Sequence, residues 1–372
     1  MKRWMCAIVG SMAALCALAA SGMAQEPIVI GVSVPITGQY AESGKSIQAG
    51  VELARKELNE AGGIQGRPLE IVIGDSQGTP DIAKRVARKF VSDPKIVAEI
   101  GDQTSGCSMA AQPIYDKGGM VQLSPTSSHP GFAPGSPFSF TMVGSQTAGS
   151  PFMVKVAVER FGKKRLAIAY LETDWGIAVK TSIESEAKRL GAEIVAVESY
   201  LDGTTDFSAV IKKLRDAQPE VLFLASMTPD AAGLSKQRQQ DGWNDVTVMG
   251  VMAISPNIFE LGGAAVENLF VPTVFFAQDT RPEVQGFVAA YQAAYQRTPD
   301  WYAAISYDTL NLLAATINQV GADRRAIYQA LSATKEFVGV TGKIVFNEYG
   351  DVIREYTLLQ VKNGEFVLFE GK

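Results

Sequence analysis

Residues 96–128 read IVAEIGDQTSGCSMAAQPIYDKGGMVQLSPTSS, and this stretch decides the predicted fold. An apolar run over residues 96–100 precedes a polar loop, a helical pattern over residues 106–117 and a second apolar run over residues 120–123. The order strand, helix, strand predicts two neighbouring strands of a parallel sheet. Both strands end in polar loops, and the carboxyl edge of such a sheet is where ligands bind.

Hydroxyl and amide side chains are concentrated at this predicted edge. Those that follow the two strands are Gln103, Thr104, Ser105, Thr126, Ser127 and Ser128. Ser105 lies at the start of the predicted helix, where unpaired N–H groups and the helix dipole favour an anion such as a carboxylate. Alternatively, Ser105 only caps its helix, which is the commoner use of serine at this position.

The N-terminus has the layout of an export signal. Lys2 and Arg3 precede an apolar segment over residues 7–20, and small residues follow at 22–24. This pattern predicts a secretory signal peptide over residues 1–24. No later segment approaches the roughly 18 uninterrupted apolar residues of a membrane helix. We therefore expect an exported, soluble chain.

Length and charge narrow the possible functions. Without residues 1–24 the chain has 348 residues, enough for about two domains, and 32 basic against 39 acidic residues give a net charge of −7. An acidic chain is a poor partner for nucleic acid or an anionic membrane. Cys107 is then the sole cysteine, so no internal disulfide is expected, and the residue is most simply a small buried hydrophobe.

Strand-like and helix-like segments alternate twice along the chain. The first run covers residues 28–143 and the second covers residues 165–271, with short joints between the segments. Alternation of this kind predicts βαβ units and a parallel sheet in each run, so we expect two Rossmann-like lobes. Three helical stretches and three further strands fill the last third and are interpreted as segments that complete both lobes.

Motifs for catalysis, metals or cofactors are weak. The single histidine, His129, adjoins Ser128 in sequence without an evident orienting carboxylate, which does not support a hydrolytic triad. One histidine and one cysteine also exclude ordinary zinc or iron–sulfur ligation. Residues 38–46 resemble a phosphate-binding P-loop, but five residues instead of four separate the two glycines. We expect no cofactor and no metal.

An ordered set of short motifs carries a family resemblance. The motifs are IVIGV at 28–32, PITG at 35–38, NEAGGI at 59–64, the Ser105 loop, LSP at 123–125, DWG at 174–176 and TDFS at 205–208. Together they resemble the periplasmic leucine/isoleucine/valine-binding proteins, the substrate-binding components of ABC importers. The resemblance covers residues 26–370.

This resemblance implies an α/β, type I periplasmic binding fold with two lobes, a hinge and a central ligand cleft. The implied first lobe is residues 25–144 and 277–352, and the second is residues 145–276 and 353–372. In this family hydroxyls and N–H groups of the first lobe hold the ligand carboxylate. By position these are Ser105 and Ser128, with the carbonyl of Thr126 also facing the ligand and Gln103, Thr104 and Ser127 on the same wall.

The second lobe departs from the family pattern. The acidic residue that receives a ligand ammonium falls at Met252, two tyrosines fall at Trp175 and Met227, and an aromatic residue of the tail falls at Tyr302. An ammonium without a carboxylate partner in a closed cleft would cost several kcal/mol. We therefore expect a carboxylate with an apolar or aromatic body. Alternatively, Glu172, Asp174 or Asp230 supplies the charge.

The interpretation is a periplasmic solute-binding protein of an ABC importer, which captures a small hydrophobic or aromatic carboxylate and is not an enzyme. Its expected partners are that ligand and a membrane permease, and the expected state is a monomer in the periplasm. Two alternatives stay open: an exported sensor that presents its ligand to a membrane receptor, and an exported α/β enzyme.

Overall fold

The computed structural model describes residues 26–370, so the predicted signal peptide lies outside the described residues. Within them, the strands form three sheets. The strands are β1 (Ile28–Val34), β2 (Leu69–Asp75), β3 (Ile96–Gly101), β4 (Gln122–Ser124), β5 (Ser139–Thr141), β6 (Arg165–Leu171), β7 (Glu193–Tyr200), β8 (Val221–Ala225), β9 (Thr247–Gly250), β10 (Phe270–Thr273), β11 (Glu336–Gly339), β12 (Gly342–Phe346), β13 (Val352–Ile353), β14 (Thr357–Lys362) and β15 (Glu365–Leu368).

Helices connect most of these strands. They are α1 (Ala41–Glu60), α2 (Pro80–Ser92), α3 (Ser105–Lys117), α4 (Gln146–Lys155), α5 (Asp174–Arg189), α6 (Ser208–Asp216), α7 (Thr228–Gln240), α8 (Ile258–Gly262), α9 (Pro282–Tyr295), α10 (Trp301–Val320) and α11 (Arg324–Ala333). A π-helical turn, Val156–Arg160, continues α4. Within residues 26–370, none of the helices combines the length and apolar character needed to cross a membrane.

The first sheet has the order β2-β1-β3-β4-β5, and all its strand pairs are parallel. Every residue of β1 is buried, which explains its continuous apolar sequence, because helices cover both faces of a parallel sheet. Ile100 of β3 lies opposite Leu123 of β4. The two polar loops that follow these strands therefore start side by side, as the sequence predicts.

The second sheet has the order β15-β14-β10-β9-β8-β6-β7. Its five strands β6 to β10 are parallel to one another, whereas β14 and β15 add an antiparallel edge next to β10. The hairpin turn between β14 and β15 contains Asn363 and Gly364, both with positive φ. The small third sheet, β11-β12-β13, is antiparallel.

The last third of the chain contributes to two separate hydrophobic cores. Side chains of α9, α10, α11 and β12, among them Val284, Ile305 and Ile327, lie in the core of the first sheet. Leu358 and Leu359 of β14 lie in the core of the second sheet. The predicted fold, an α/β type I periplasmic binding fold with two lobes, is confirmed. The lobe boundaries at residues 144, 276 and 352 stay a prediction.

Three chain segments cross between the sheets: after β5, after β10 and after β13. Arg354, on the third crossing, is buried and joins this crossing to the first crossing and to the turn at Thr341 in the first lobe. Its Nε donates to the carbonyl of Met142 on the first crossing at 2.9 Å, and its Nη1 donates to the carbonyl of Thr341 at 2.8 Å. Burial lowers the pKa of Arg354 to about 10, and Asp308 opposes this shift. The guanidinium thus remains charged at neutral pH and fixes two crossings together.

Candidate functional site

The loop after β3 turns into α3 with Ser105 as the first helical residue. Thr104, not Ser105, is the N-cap, and its Oγ1 accepts the N–H of Cys107 at 3.3 Å. The alternative that Ser105 serves as the cap is therefore wrong. The Oγ of Ser105 instead accepts the N–H groups of Ser128 and His129, both at 3.2 Å, and so joins the two polar loops.

Ser128 occupies the matching position in the second loop. Its Oγ accepts the Nε2–H of Gln146 and the Nε1–H of Trp175, each at 3.0 Å. Because Trp175 belongs to α5 of the second lobe, this contact crosses the cleft. A serine hydroxyl has two acceptor positions and one hydrogen to donate. Ser105 and Ser128 each use both acceptor positions, so each retains an O–H for a ligand.

A small cavity brings most of the predicted residues together. Eight of the ten line it: Gln103, Ser105, Thr126, Ser128, Trp175, Met227, Met252 and Tyr302. Ala253 and Trp301 complete the lining of this space, here called the cleft cavity. An outer region, lined among others by Tyr40 and Thr228, adjoins it and shares Gln103, Met227, Ala253 and Tyr302 with it.

Thr104 and Ser127, the other two predicted residues, are not in the lining. The Oγ of Ser127 is buried and lies 2.7 Å from the Oγ of Ser108, where it fixes the second loop to α3. Thr126 does line the cavity, but its Oγ1 donates to the carbonyl of Gln103 at 2.8 Å. These side chains hold the loops that present Ser105 and Ser128.

The wall opposite the serines is largely apolar and aromatic. The rings of Trp301 and Tyr302 stack with centroids 3.8 Å apart at the start of α10. Tyr302 donates its hydroxyl to the carbonyl of Ala253 at 3.1 Å, and the Nε1–H of Trp301 donates to the carbonyl of Ile254 at 3.1 Å. Met252 lies in the same short segment, so these two hydrogen bonds fix the wall that carries it.

Charged side chains are absent from the lining of the cleft cavity, as far as residues 26–370 show. Glu172 and Asp174 are exposed. Asp230 is buried outside the lining, its Oδ2 lacks a hydrogen-bond partner, and burial followed by Asp202 raises its pKa to about 7. The nearest carboxylate in the outer lining, Glu42, pairs with Lys45 at 2.9 Å. None of the three predicted alternatives therefore faces the ligand space.

A buried carboxylate supports the serine loops from behind. Asp102 accepts the hydroxyl of Ser33 at 2.9 Å and the N–H of Gln103 at 2.6 Å, and its carbonyl accepts the hydroxyl of Ser124 at 2.9 Å. Burial raises the pKa of Asp102 to about 6. Glu99, close by, is completely buried beside Tyr115, and burial followed by the neighbouring Asp102 raises its pKa well above the usual range.

Sequence reasoning missed several residues of the site. Gln146, which fixes Ser128, follows a crossing segment, and Trp301 and Ala253 come from distant parts of the chain. Tyr302 was predicted only from the family resemblance. The same resemblance could have pointed to its neighbour Trp301. Among residues 26–370, the structure holds no group of three histidine, cysteine, aspartate or glutamate side chains that could bind a metal ion.

Two α/β lobes with a small cavity between their strand-end loops are typical of proteins that bind a small molecule. The family model of periplasmic binding proteins matches residues 27–365. The chain therefore belongs to the periplasmic binding protein family, whose members are ligand-binding transport proteins, as the resemblance indicates.

Three relatives illustrate the match. The Leu/Ile/Val-binding protein homolog 1 of Brucella melitensis is 28% identical over 339 residues, which cover 90% of each chain. A solved putative branched-chain amino acid ABC transporter protein from Rhodospirillum rubrum is 32% identical, with a TM-score of 0.70, and the match covers 92% of this chain and 100% of that one. A solute-binding protein of an ABC transporter from R. palustris, solved with benzoate, has a TM-score of 0.84 at 20% identity over 92% and 95% of the chains, which shows the fold alone.

Proposed function

We propose that this protein is the periplasmic substrate-binding component of an ABC importer and closes around a small carboxylate with an apolar or aromatic body. The observation that carries the proposal is the pair of serine hydroxyls in the cleft cavity. Ser105 and Ser128 each accept two hydrogen bonds and keep one O–H for a ligand. Two converging donors match the two oxygens of a carboxylate, and hydrogen bonds to a charged acceptor are strong.

The helix behind these serines adds to the preference for an anion. α3 begins at Ser105, so its first-turn N–H groups and the positive end of its dipole lie at the cavity wall. The apolar wall around Met227, Met252 and Tyr302 suits an aliphatic chain or an aromatic ring.

The same wall argues against an α-amino acid as the best ligand. An ammonium group would find no carboxylate in the lining, and a buried ion without a partner is costly. Gln103 offers one unpaired acceptor, Oε1, which is enough for a single N–H or O–H of the ligand. A carboxylate that lacks the ammonium, such as a fatty or aromatic acid, leaves no charge unpaired.

The remaining parts of the proposal follow from this role. The ligand is delivered unchanged to a membrane permease, so the protein is not an enzyme, and it acts as a monomer in the periplasm after removal of residues 1–24. The two lobes move about the three crossing segments, and residues 144, 276 and 352 remain the proposed lobe boundaries. The cross-cleft bond from Trp175 to Ser128 belongs to the closed state.

A thermal-unfolding screen with matched ligands tests this proposal. Leucine is compared with 4-methylpentanoate and phenylalanine with 3-phenylpropanoate, since each pair differs only in the amino group; benzoate is added as a short aromatic acid. A ligand at a hundredfold excess over its Kd should stabilise the folded state by about 2.7 kcal/mol. We expect the acids to raise the melting temperature more than the amino acids do.

Two outcomes would contradict different parts of the proposal. Stabilisation by leucine or phenylalanine without an effect of the matched acids would refute the inference from Met252, while the binding role would stand. Absence of stabilisation by any carboxylate, in a wider panel of sugars, amines and acids, would refute the proposed ligand class.

A further inference from the structure

A second and larger pocket lies behind the cleft cavity. Its lining comes from residues within 254–259, 271–278, 298–301 and 359–366. We call it the back pocket. Its walls include the crossing segment after β10, the start of α10 and the hairpin of β14 and β15. The back pocket thus adjoins both lobes, and the proposed function does not use it.

Aromatic rings form much of this pocket. Phe259, Phe276 and Phe366 are only partly buried, and the rings of Phe259 and Phe366 lie with centroids 4.8 Å apart. Phe275 and Trp301 contribute further ring surface from the interior. Large rings left half-exposed in a concave space provide apolar area that a ligand can cover.

The charges of the back pocket are all negative. Asp300 and Glu365 are in its lining, which includes no lysine, arginine or histidine. Asp300 caps α10 by accepting the N–H of Ala303 at 2.9 Å, whereas Glu365 is exposed to solvent. Burial raises the pKa of Asp300, although its hydrogen bonds and Arg297 oppose this shift, so the exposed Glu365 is the carboxylate of the lining that is open to a ligand.

We propose that the back pocket is a second ligand site, which binds a small aromatic molecule with a protonated amine. The aromatic rings would cover the ring of such a ligand, and aromatic faces also attract a cation. The exposed carboxylate of Glu365 supplies charge complementarity. The molecule that is transported, a carboxylate, would not enter this site, so the two sites bind different classes of ligand.

Trp301 connects the two spaces. It lines the cleft cavity on one side and the back pocket on the other, and its Nε1–H donates to the carbonyl of Ile254. Trp175 lines only the cleft cavity, and Trp243 is in the lining of neither. Of the four tryptophans in the sequence, Trp175, Trp243 and Trp301 can therefore report through their indole N–H groups which space a ligand enters.

The test is nuclear magnetic resonance of the full chain with nitrogen-15 in its indole groups, each signal assigned by a Trp→Phe replacement. Phenethylamine should shift the signal of Trp301 and leave those of Trp175 and Trp243 in place. 3-Phenylpropanoate, which has a similar aromatic body and the opposite charge, should shift Trp175 together with Trp301. A shift of Trp175 by phenethylamine, or no shift at millimolar amine, overturns the second site. If no carboxylate shifts the signal of Trp175, the proposed function is refuted. The second site is then still tested by the shift that phenethylamine causes in the signal of Trp301.

Two pairs of variants test the chemistry of the site. Glu365→Lys should weaken phenethylamine binding by about two- to fivefold, the range for one exposed ion pair, whereas Glu260→Lys makes the same charge change outside the lining. Phe259→Ala should weaken it by roughly two- to tenfold, and Phe152→Ala removes a comparable half-buried ring elsewhere. Equal effects within either pair would refute the assignment. Glu365 is exposed, so its variant is expected to fold.

Discussion

Replacing Ser105 with alanine is the sharpest test of the carboxylate site. The Ser105→Ala change removes one O–H donor to the ligand and one oxygen that accepts the N–H groups of Ser128 and His129, both at 3.2 Å. A hydrogen bond to a charged acceptor contributes about 1.5–3 kcal/mol, so the Kd for a carboxylate should increase by about 10- to 160-fold. Two backbone N–H groups also lose their acceptor, which should lower the free energy of unfolding by about 1–3 kcal/mol.

Isothermal titration calorimetry gives the affinity, and urea unfolding gives the stability. The matched control is Thr104→Ala, because Thr104 is the neighbouring hydroxyl and the true N-cap of α3 but is absent from the cavity lining. Loss of a cap costs about 1 kcal/mol of stability, and because Thr104 does not contact the cavity, the affinity should fall much less than with Ser105→Ala. If Ser105→Ala binds carboxylates as tightly as the original protein, the role of this serine is refuted.

Three further predictions concern the cleft and its buried acids. Trp175→Phe removes the cross-cleft hydrogen bond to Ser128 and should weaken ligand binding in calorimetry by roughly two- to tenfold, whereas Trp243→Phe, buried in the second core, should not. Met252→Glu supplies a carboxylate for an ammonium, so the affinity for leucine relative to 4-methylpentanoate should rise by at least about tenfold, and the neutral Met252→Gln should leave that ratio unchanged. Burial raises the pKa of Asp102 to about 6 and raises the pKa of Glu99 well above its usual range, so both groups release protons on unfolding. The free energy of unfolding should therefore fall as the pH rises from about 4 to 7, and Asp102 should account for at most about 3 kcal/mol of this decrease. Urea unfolding across that range should show the slope, Glu99→Gln should reduce it, and a rise in stability over the same range would contradict the assignment.

The regular elements were predictable because burial imposes a period on the sequence. β3 (Ile96–Gly101) and α3 (Ser105–Lys117) contain the apolar run predicted over residues 96–100 and the helical pattern predicted over residues 106–117. The meeting of Ser105 and Ser128 was also predictable, since parallel strands end at one edge of their sheet. β11 and β13 were missed, because four and two residues are too few to show a clear period.

The directions of the side chains in the polar loops could not be predicted from the sequence. Thr104 and Ser105 are both good capping residues, and only the position where the backbone becomes helical assigns the cap to Thr104. Ser127 and Ser128 are chemically alike, yet one points toward α3 and the other faces the cavity. The contacts of Gln146 and Trp301 depend on how distant segments pack, which a local pattern does not record.

Both hydrophobic cores are completed by residues from the last third of the chain. Helix α10 packs along α1, although about 240 residues separate them, and β14 joins a sheet whose other strands were made much earlier. Contacts of such long sequence separation form slowly, because a large loop must close first. A chain that leaves the ribosome stepwise cannot complete either core until nearly all of it has been synthesised. We expect this delay to keep the polypeptide unfolded long enough to be threaded through a membrane, with folding left to the far side.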